Sequence, residues 1–535
     1  MLGMKDRKMV WWLLVLLISG LLFTGCSNGA DQPADSRKPE EVIPVYTIAD
    51  AAGDWGFPSP WGHYQRGPGY IRMSLIFDTL VWKDDQGLVP ALASEWSYDQ
   101  DNKTYTFVLK DNILWHDGQK LTAEDVVFTF AYIKQHPYAW GDLSSVAQVS
   151  SEGEQTVKIT LNSNFAPFLN NVAATVPIIP QHIWDKVEEP GKFTELSAVV
   201  GSGPFRYVDY NKEQGTYLYQ ANDQYYGGKV LVQELKFIKA NPQMAAASLS
   251  RGEVNAAALQ PEMAGQLQDK YTIIQEAGSS NVKLMFNHLE EPLADKEFRQ
   301  ALAYAIDKED LVAKAQRGYG VKGNPGIYAP GNRWYAGDAV QYDPNGQKVQ
   351  ELMTELGYEL VASEGRANPS WTKDGQEVKL NILCDSDLIR VAEVLQERLA
   401  TAGFSLEIQS VEVKVRDTKI LSWDFDLALN SHGGLGGDPE ILSKFILVGD
   451  FNSARYDQNP HLVELIQKQK TIMDEDERKE MVQQIQKLYA EDVPVLTLYY
   501  PNSYWAHDGK IPLYYTSEGI AIGVPIPLNK LSFVQ

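Results

Sequence analysis

The chain has 535 residues, of which 44% are hydrophobic and 22% are charged, and its formal net charge is −22. This length and hydrophobic content suffice for two or three core-sized units. Because so negative a protein repels nucleic acid and anionic lipid headgroups, the charge excludes nucleic-acid binding and favours solubility.

The first 25 residues have the pattern of a secretory signal peptide. Three cations among the first eight residues form a positive start, an apolar run continues to Phe23, and a small Thr-Gly pair precedes Cys26. The apolar run is about fifteen residues long, whereas a membrane-spanning helix needs roughly 20. We therefore expect residues 1–25 to be removed after export.

The segment "LLFTGC" resembles the lipobox of bacterial lipoproteins, in which the cysteine is acylated and becomes the mature N-terminus. One departure is Phe23, which stands where that motif usually has leucine. Lipidation of Cys26 would leave Cys384 as the single remaining cysteine, so the fold has no intramolecular disulfide. We predict that Cys26 anchors the protein to the outer face of the cell membrane, or in the periplasm if the host has an outer membrane. An ordinary signal peptide with an incidental cysteine is the alternative. Residues 26–44 are polar, contain Pro, Gly and acids, and are predicted to be a flexible tether.

From Val45 onward the patterning is that of a mixed α/β protein. Residues 104–110 and 156–162 alternate polar and apolar side chains, which predicts half-buried strands, and "DQDN" at 99–102 predicts a turn. Thr122, with Asp125 three residues later, predicts the capped start of a helix. Helical spacing of apolar residues also predicts helices within three later segments, 295–312, 388–404 and 477–493.

Catalytic and metal-binding motifs are missing from the sequence. It has no G-x-S-x-G elbow, no phosphate-binding G-x-x-x-x-G-K-[ST] loop, and no pair of histidines or cysteines at zinc spacing. We therefore predict a protein that is not an enzyme and that has no catalytic residue, metal or cofactor. A glycosidase stays open as the alternative from another class, because its two carboxylates can lie anywhere in a chain.

Several aromatic residues cluster in two loop segments that contain glycine and proline, 54–70 and 136–142. Helix or strand amphipathicity does not explain aromatic residues in irregular segments. Packing beneath long loops is one interpretation. The other is a cleft lined by flat amphipathic rings, as small-molecule sites require. On that interpretation the predicted ligand contacts are Trp55, Trp61, Tyr64, Tyr70, Tyr138 and Trp140.

Six segments in a fixed order are similar to the peptide/nickel class of bacterial extracellular solute-binding proteins, which serve ABC importers. They are "GLVPALASEWSYDQDNKTYTFVLKDNILWHDGQKLTAEDVVFTFAYI" from residue 87, "GSGPFRYVDY…NDQYYGG" from 201, "SRGEVNAA" from 250, "FRQALAYAIDKEDLV" from 298, "YDP…ELMTELGY" from 342 and "YAEDVPVLTLYYPNSYWAH" from 489.

This resemblance implies an α/β, two-lobed fold of the periplasmic-binding-protein type II kind, with an extra inserted domain and a ligand cleft between the lobes. Mapped onto this chain, it predicts a discontinuous lobe I, an inserted domain II and a lobe II. Lobe I would consist of 45–75, 200–287 and 505–535, domain II of 76–199, and lobe II of 288–504.

The segment "SHGGLGGDPE", residues 431–440, would form part of the cleft wall by the same resemblance. Peptide-binding members carry an aspartate in this loop, four residues before the proline, which pairs with the peptide α-ammonium. Counting back from Pro439 places Leu435 at that position, whereas Asp438 matches a structural acid of the family. We expect Leu435 to supply an apolar ligand contact, and binding to depend on pH between roughly 5 and 8 if His432 titrates. The predicted contacts in this loop are His432, Gly433 and Leu435.

The function implied is that of a monomeric substrate-binding lipoprotein. It would close around a small solute of the oligopeptide or dipeptide class and deliver it to the permease subunits of an ABC importer. Two other ligand classes stay open. Trp140 falls where nickel-binding relatives have a ligand-facing tryptophan, which favours a metal chelate, and the abundance of Trp and Tyr favours an oligosaccharide. A cell-surface glycan hydrolase is the alternative outside the receptor class.

Overall fold

The computed structural model describes residues 42–51, 53–362 and 368–535. The predicted signal peptide, Cys26 and most of the predicted tether lie outside these ranges. None of the helices within the described ranges is long and apolar enough to cross a membrane.

The strands of the described residues alternate with helices along much of the chain. In chain order they are Ile43–Asp50 (β1), Val81–Lys83 (β2), Leu88–Pro90 (β3), Ala93–Asp99 (β4), Thr104–Leu109 (β5), Val146–Glu152 (β6), Thr156–Leu161 (β7), Phe205–Asn211 (β8), Thr216–Ala221 (β9), Val232–Lys239 (β10), Ala256–Leu259 (β11), Thr272–Ala277 (β12), Ser280–Phe286 (β13), Gly320–Lys322 (β14), Glu359–Val361 (β15), Ser370–Lys373 (β16), Gln376–Glu377 (β17), Lys379–Cys384 (β18), Ser405–Ser410 (β19), Leu427–Gly433 (β20) and Val495–His507 (β21).

The α-helices are mostly short and amphipathic. They are Gly67–Ser74 (α1), Ala123–Gln135 (α2), Gln181–Trp184 (α3), Pro242–Ser250 (α4), Pro261–Leu267 (α5), Lys296–Ala305 (α6), Lys308–Ala315 (α7), Gly346–Glu355 (α8), Ile389–Thr401 (α9), Val413–Leu421 (α10), Pro460–Lys468 (α11) and Glu475–Asp492 (α12).

Twelve of the strands in the described ranges form one large mixed sheet. Its main order is β19-β18-β20-β13-β21-β11-β1-β10-β9-β8, and β12 and β14 also pair with β21. β1 runs parallel to β10 and β11, and β18 runs parallel to β19 and β20. The long strand β21 joins the two halves of the sheet, because residues 495–499 pair with β13 and residues 502–507 pair with β12.

A separate antiparallel sheet of four strands, in the order β4-β5-β7-β6, falls within the segment 76–199 that was predicted as an inserted domain. The predicted crossing at residue 504 lies inside β21. β13, which was assigned to lobe I as far as residue 287, pairs with β20. The division into lobes and inserted domain remains a prediction.

Several of the predicted elements are confirmed, with the local causes that the sequence indicated. β5 and β7 bury every second residue. The turn before β5 forms around the carboxylate of Asp99, which accepts hydrogen bonds from the backbone N–H groups of Asp101 and Asn102, both at 3.0 Å. Helix α2 begins with the capping box of Thr122 and Asp125. Helix α9 forms within the predicted segment 388–404, and helix α12 covers most of the predicted segment 477–493, although it begins earlier, at Glu475.

The segment 295–312 differs from its prediction, because it forms two helices rather than one. Helix α6 ends at Ala305, and α7 begins at Lys308. Asp307 accepts a hydrogen bond from the backbone N–H of Asp310 at 2.9 Å, so its side chain caps the second helix. The apolar stripe of the segment is nevertheless buried, since Phe298, Leu302 and Ile306 all lie in the core.

Strand β13 is buried on both faces. Val282, Leu284 and Phe286 pack into the cluster formed with α6, α8 and α9, whereas Met285 packs into a second cluster on the opposite face. Because side chains alternate along a strand, Lys283 lies on the same face as Met285. A lysine is thereby buried in the sheet close to the loop that follows β20.

Candidate ligand-binding site

The two aromatic loop segments predicted from the sequence lie against each other. The ring centroid of Trp61 is 5.7 Å from that of Tyr138, and the ring centroid of Tyr70 is 5.1 Å from that of Trp140. The first segment leads into α1, and the second follows α2. Tertiary packing therefore brings these predicted residues into one aromatic cluster.

The residues of this cluster and its surroundings differ in their exposure. Tyr70 is fully buried, and its hydroxyl donates to the carbonyl of Thr175 at 2.9 Å. Tyr70 is therefore a core residue in this structure, which corrects its predicted role as a ligand contact. Tyr64, by contrast, is 43% exposed, and its hydroxyl donates to Asp54 Oδ2 at 2.8 Å.

Trp55 and Trp61 are partly buried and have hydrogen-bond partners inside the protein. Trp55 Nε1 donates to Asp50 Oδ2 at 2.8 Å. Trp61 Nε1 lies 3.2 Å from the carbonyl of His136, which belongs to the second aromatic segment. These bonds fix the planes of both indoles and leave their ring faces for packing.

A cavity of about 590 Å³ lies where the second aromatic segment approaches the C-terminal half of the chain. Tyr138 and Trp140 line it from one side, and Lys444 lines it from the other. Two of its lining side chains, Tyr138 and Trp140, carry a buried polar atom with no hydrogen-bond partner in the described structure, the hydroxyl and Nε1 respectively. The backbone N–H of Ala166 donates to the carbonyl of Lys470 at 2.7 Å, which is another direct contact between the N-terminal and C-terminal halves of the chain.

His63 lies in the aromatic cluster as a neutral ring. Its centroid is 6.3 Å from that of Trp140 and 6.5 Å from that of Tyr138. Nδ1 is 2.8 Å from the carbonyl of Tyr64. Because a carbonyl only accepts hydrogen bonds, Nδ1 carries the proton in the neutral ring. Burial lowers the pKa of His63 to about 4. No role was predicted for His63 from the sequence. The neutral imidazole adds a polar group to the aromatic cluster without adding a charge.

The glycine-rich segment begins at the end of β20 and turns at Gly434, which has a φ of +82°. An added Cβ at Gly433 would meet nothing within 4 Å, so the backbone there is open to approach. At Gly437 a Cβ would lie 3.0 Å from the carbonyl of Ile522. The two glycines therefore serve different purposes. Gly433 leaves the backbone open to approach, whereas Gly437 leaves room for the C-terminal segment of the protein itself.

Leu435 does not face an open cleft. Its side chain is 0% exposed and packs into the cluster that also contains Met285 and Phe445. Its backbone N–H donates to the carbonyl of Ser279 at 3.0 Å, and its carbonyl accepts from Asn332 Nδ2 at 3.2 Å. This burial corrects the expectation that Leu435 contacts the ligand. The side chain buries more apolar surface in the core than it would at the surface of a loop.

Asp438 is a buried structural acid, as the resemblance implied. Its two carboxylate oxygens accept hydrogen bonds from both terminal nitrogens of Arg478, at 2.8 and 2.6 Å. Both side chains are almost fully buried. The bidentate ion pair fixes the C-terminal end of the loop onto α12.

His432 is partly buried, and its ring centroid is 5.0 Å from that of Phe445. Nδ1 is 2.7 Å from the carbonyl of Gly433. Burial, together with the positive charges of Lys283 and Lys444, lowers the pKa of His432 to about 3. The expected titration of His432 between pH 5 and 8 is therefore corrected, because the ring stays neutral throughout that range.

Lys283 and Lys444 are two basic residues near His432 that were not predicted from the sequence. Lys283 Nζ donates to the carbonyl of Asn452 and lies 4.0 Å from the ring centroid of Phe445. Burial lowers the pKa of Lys283 to about 7. The available signal was a lysine within the otherwise apolar strand "VKLMF". Lys444 and Phe445 are adjacent in a π-helical turn, so this turn connects the aromatic cavity with His432.

A second, smaller cavity lies against the glycine-rich loop and has a volume of about 270 Å³. Gly436 lines it, together with the end of β12, residues 329–332 and part of the C-terminal segment. Glu276 and Tyr515 supply its larger polar groups. No three His, Cys, Asp or Glu residues in the described ranges gather into a group that could hold a metal ion.

Comparison with known proteins identifies the family. The family described as "Bacterial extracellular solute-binding proteins, family 5 Middle" matches residues 87–451, which is more than half of the chain. The oligopeptide-binding protein AppA of Bacillus subtilis is 26% identical over 94% of this chain and 95% of its own length. The dipeptide-binding protein of Escherichia coli is 27% identical over 77% of this chain and 80% of its own.

A solved structure with the same architecture is that of the ABC transporter substrate-binding protein CtaP from Listeria monocytogenes. It has a TM-score of 0.76 and 25% sequence identity, and the match covers 91% of this chain and 99% of that protein. The predicted α/β fold of the periplasmic-binding-protein type II kind is confirmed. The chain belongs to the bacterial extracellular solute-binding proteins of family 5, the class that its sequence resembles.

Proposed function

We propose that this protein is the substrate-binding receptor of an ABC importer and that it captures a peptide-class solute. The observation that carries this proposal is the aromatic cavity of about 590 Å³, which Trp140 and Lys444 line from two distant parts of the chain. A ligand in it would contact both halves of the protein at once. Relatives that match 94% and 77% of this chain carry the names of an oligopeptide-binding and a dipeptide-binding protein, which supports the peptide class.

The chemistry of the cavity fits a peptide. Aromatic rings supply apolar surface for peptide side chains. Lys444 supplies a positive charge on the side facing Trp140. A peptide carboxylate is the group in this ligand class that such a charge would attract.

The test is a thermal-shift screen with peptides, nickel chelates and oligosaccharides, followed by calorimetric titration. A ligand at 100 times its Kd stabilises the folded protein by about 2.7 kcal/mol. We expect peptides to give the shift and Lys444→Ala to weaken the best of them about tenfold. Lys414→Ala is the matched control, since Lys414 is also exposed but lies on α10, outside the cavity. A shift with chelates or oligosaccharides and none with peptides would refute the peptide class.

We propose further that the protein is exported and held at the membrane by lipid on Cys26, with residues 26–44 as its tether. Cys26→Ala should release the protein into the medium or the periplasm. Wild-type protein that is already soluble and begins at another residue would contradict the anchor. Delivery of the solute to permease subunits by a monomeric receptor is the corresponding proposal for its partners.

The remaining predicted contacts belong to the same proposal. Tyr138 and Trp140 line the cavity, and Trp61 packs against Tyr138. His432 packs against Phe445, the neighbour of Lys444 in sequence. Trp55, Tyr64 and Gly433 are proposed as contacts on the sequence pattern and the resemblance. The lobes and inserted domain are proposed to close around the ligand without catalysing its conversion. Recovery of the bound peptide unchanged after prolonged incubation tests this statement, and hydrolysis abolished by one carboxylate substitution would refute it.

A further inference from the structure

The aromatic cavity of about 590 Å³ differs in charge from the protein as a whole. Among the described residues that line it, the charged ones are Lys134, Asp142 and Lys444. The whole chain, by contrast, has a formal net charge of −22. A negative field of that size repels anions from most of the surface. A cavity in which lysines outnumber acids is therefore a place where the protein can select a negatively charged ligand.

Lys134 brings to the cavity a charge that no carboxylate of the described residues neutralises by an ion pair. It is exposed in the last turn of α2, and its Nζ donates to the carbonyl of Val146 at 3.1 Å. The carbonyl of Ala147 lies 3.4 Å from the same nitrogen. Carbonyl groups are neutral, and an ammonium has three N–H donors. The charge of Lys134 and one of its donors therefore remain available to a ligand.

Lys444 is exposed on the π-helical turn Ser443–Leu447. Its charge reaches the carboxylate of Glu440, but Glu440 forms its ion pair with Lys470, at 3.6 Å. Lys444 thus faces the cavity without a counter-ion among the described residues.

Asp142 offsets at most one of the two lysines. Its Oδ1 accepts a hydrogen bond from the backbone N–H of Ser144 at 2.8 Å, and its Oδ2 accepts one from the hydroxyl of Ser144 at 2.9 Å. Both oxygens are therefore engaged by the loop that follows Trp140. The positive charge of the cavity is left for the ligand to balance.

We propose that the cavity selects peptides that carry an acidic side chain, with Lys134 binding the side-chain carboxylate and Lys444 the terminal carboxylate. This inference rests on the receptor function proposed above, and it names the class of peptide. Two carboxylates on one ligand match two lysines that line one cavity from distant parts of the chain. Each contact would be a charge-assisted hydrogen bond. A peptide with a lysine side chain would instead place like charges next to each other, which opposes binding.

The test uses alanine tripeptides in which one residue, at each position in turn, is glutamate, glutamine or lysine. Each peptide is titrated calorimetrically into the full chain. Glutamine has nearly the shape of glutamate, so the comparison isolates the charge. We expect the best glutamate peptide to bind about tenfold more tightly than its glutamine counterpart, and the lysine peptide to bind most weakly.

The variants assign the preference to one lysine. Lys134→Gln should abolish the preference for glutamate over glutamine and leave the affinity for the glutamine peptide almost unchanged. Lys134→Arg keeps the charge and should keep the preference, which separates the charge of Lys134 from any effect of substitution on α2. Lys444→Ala should weaken both peptides about tenfold and keep the preference. Lys468→Gln is the matched control, because Lys468 is also exposed at the end of a helix, α11, but lies outside the cavity.

The outcomes distinguish this inference from the proposed function. If peptides bind the wild type but glutamate and glutamine peptides bind equally, or if Lys134→Gln keeps the wild-type preference, the selection of acidic peptides by Lys134 is wrong and the receptor function stands. If the preference disappears in Lys444→Ala and persists in Lys134→Gln, the assignment of the two carboxylates is wrong. If no peptide binds the wild type, the receptor function for peptides fails and the selectivity fails with it.

Discussion

Replacement of Leu435 tests whether the glycine-rich loop turns this side chain into the core or towards the ligand. The leucine is 0% exposed and packs with Met285 and Phe445. Leu435→Ala removes buried methyl groups and leaves a cavity, which costs about 2–5 kcal/mol of unfolding free energy. Leu421→Ala is the matched control. That leucine is 47% exposed on α10, so its loss should change stability by no more than about 0.5 kcal/mol.

Leu435→Asp is a more severe test of whether residue 435 is buried in the core. A carboxylate at this position would be buried among apolar side chains, and an unpaired buried charge costs on the order of 3–5 kcal/mol. We therefore expect a lower midpoint of urea unfolding, monitored by tryptophan fluorescence. Calorimetry should show no gain in the affinity for free-amine peptides. A variant that keeps the wild-type midpoint and binds such peptides more tightly would show that residue 435 faces the ligand.

Three further predictions concern the same loop. The pKa of His432 in the folded protein is about 3, whereas its ordinary value is 6.5. The stability that the neutral ring contributes is fully present above pH 6.5 and is lost as the pH falls from there towards 3, by at most about 1.4 kcal/mol per pH unit. Urea midpoints between pH 7.5 and 4.5 should therefore fall less steeply in His432→Gln than in the wild type, and an identical slope would contradict the lowered pKa. Asp438→Asn leaves the guanidinium of Arg478 buried without its counter-ion and should cost about 3–5 kcal/mol in urea unfolding; a cost below 1 kcal/mol would mean that the pair is solvated. Gly437→Ala should cost about 1–3 kcal/mol in the same assay, because its Cβ would crowd the carbonyl of Ile522, whereas Gly433→Ala should be nearly neutral; equal effects would contradict the packing described.

The sequence alone determined the family, the fold class and many of the local elements. Alternating residues predicted β5 and β7, and the Thr122–Asp125 pair predicted the start of α2, because these patterns depend on contacts within a few residues. Motif order along the chain predicted the solute-binding family, which the match over residues 87–451 confirms. Such patterns reflect contacts between residues close in sequence, so they predict a strand or a helix without knowledge of the segments that pack against it.

The direction of individual side chains was decided by tertiary structure. Counting from Pro439 assigned Leu435 to the ligand, but the core formed around β13 and the π-helical turn buries it. The sequence could not place Lys444 beside Trp140, or Glu276 beside Gly436, because these pairs are brought together only when distant segments pack. Burial then lowers the pKa of His432 to about 3, a value that no local pattern predicts. Burial and pairing depend on every segment that surrounds a side chain, whereas a sequence motif records only its neighbours along the chain.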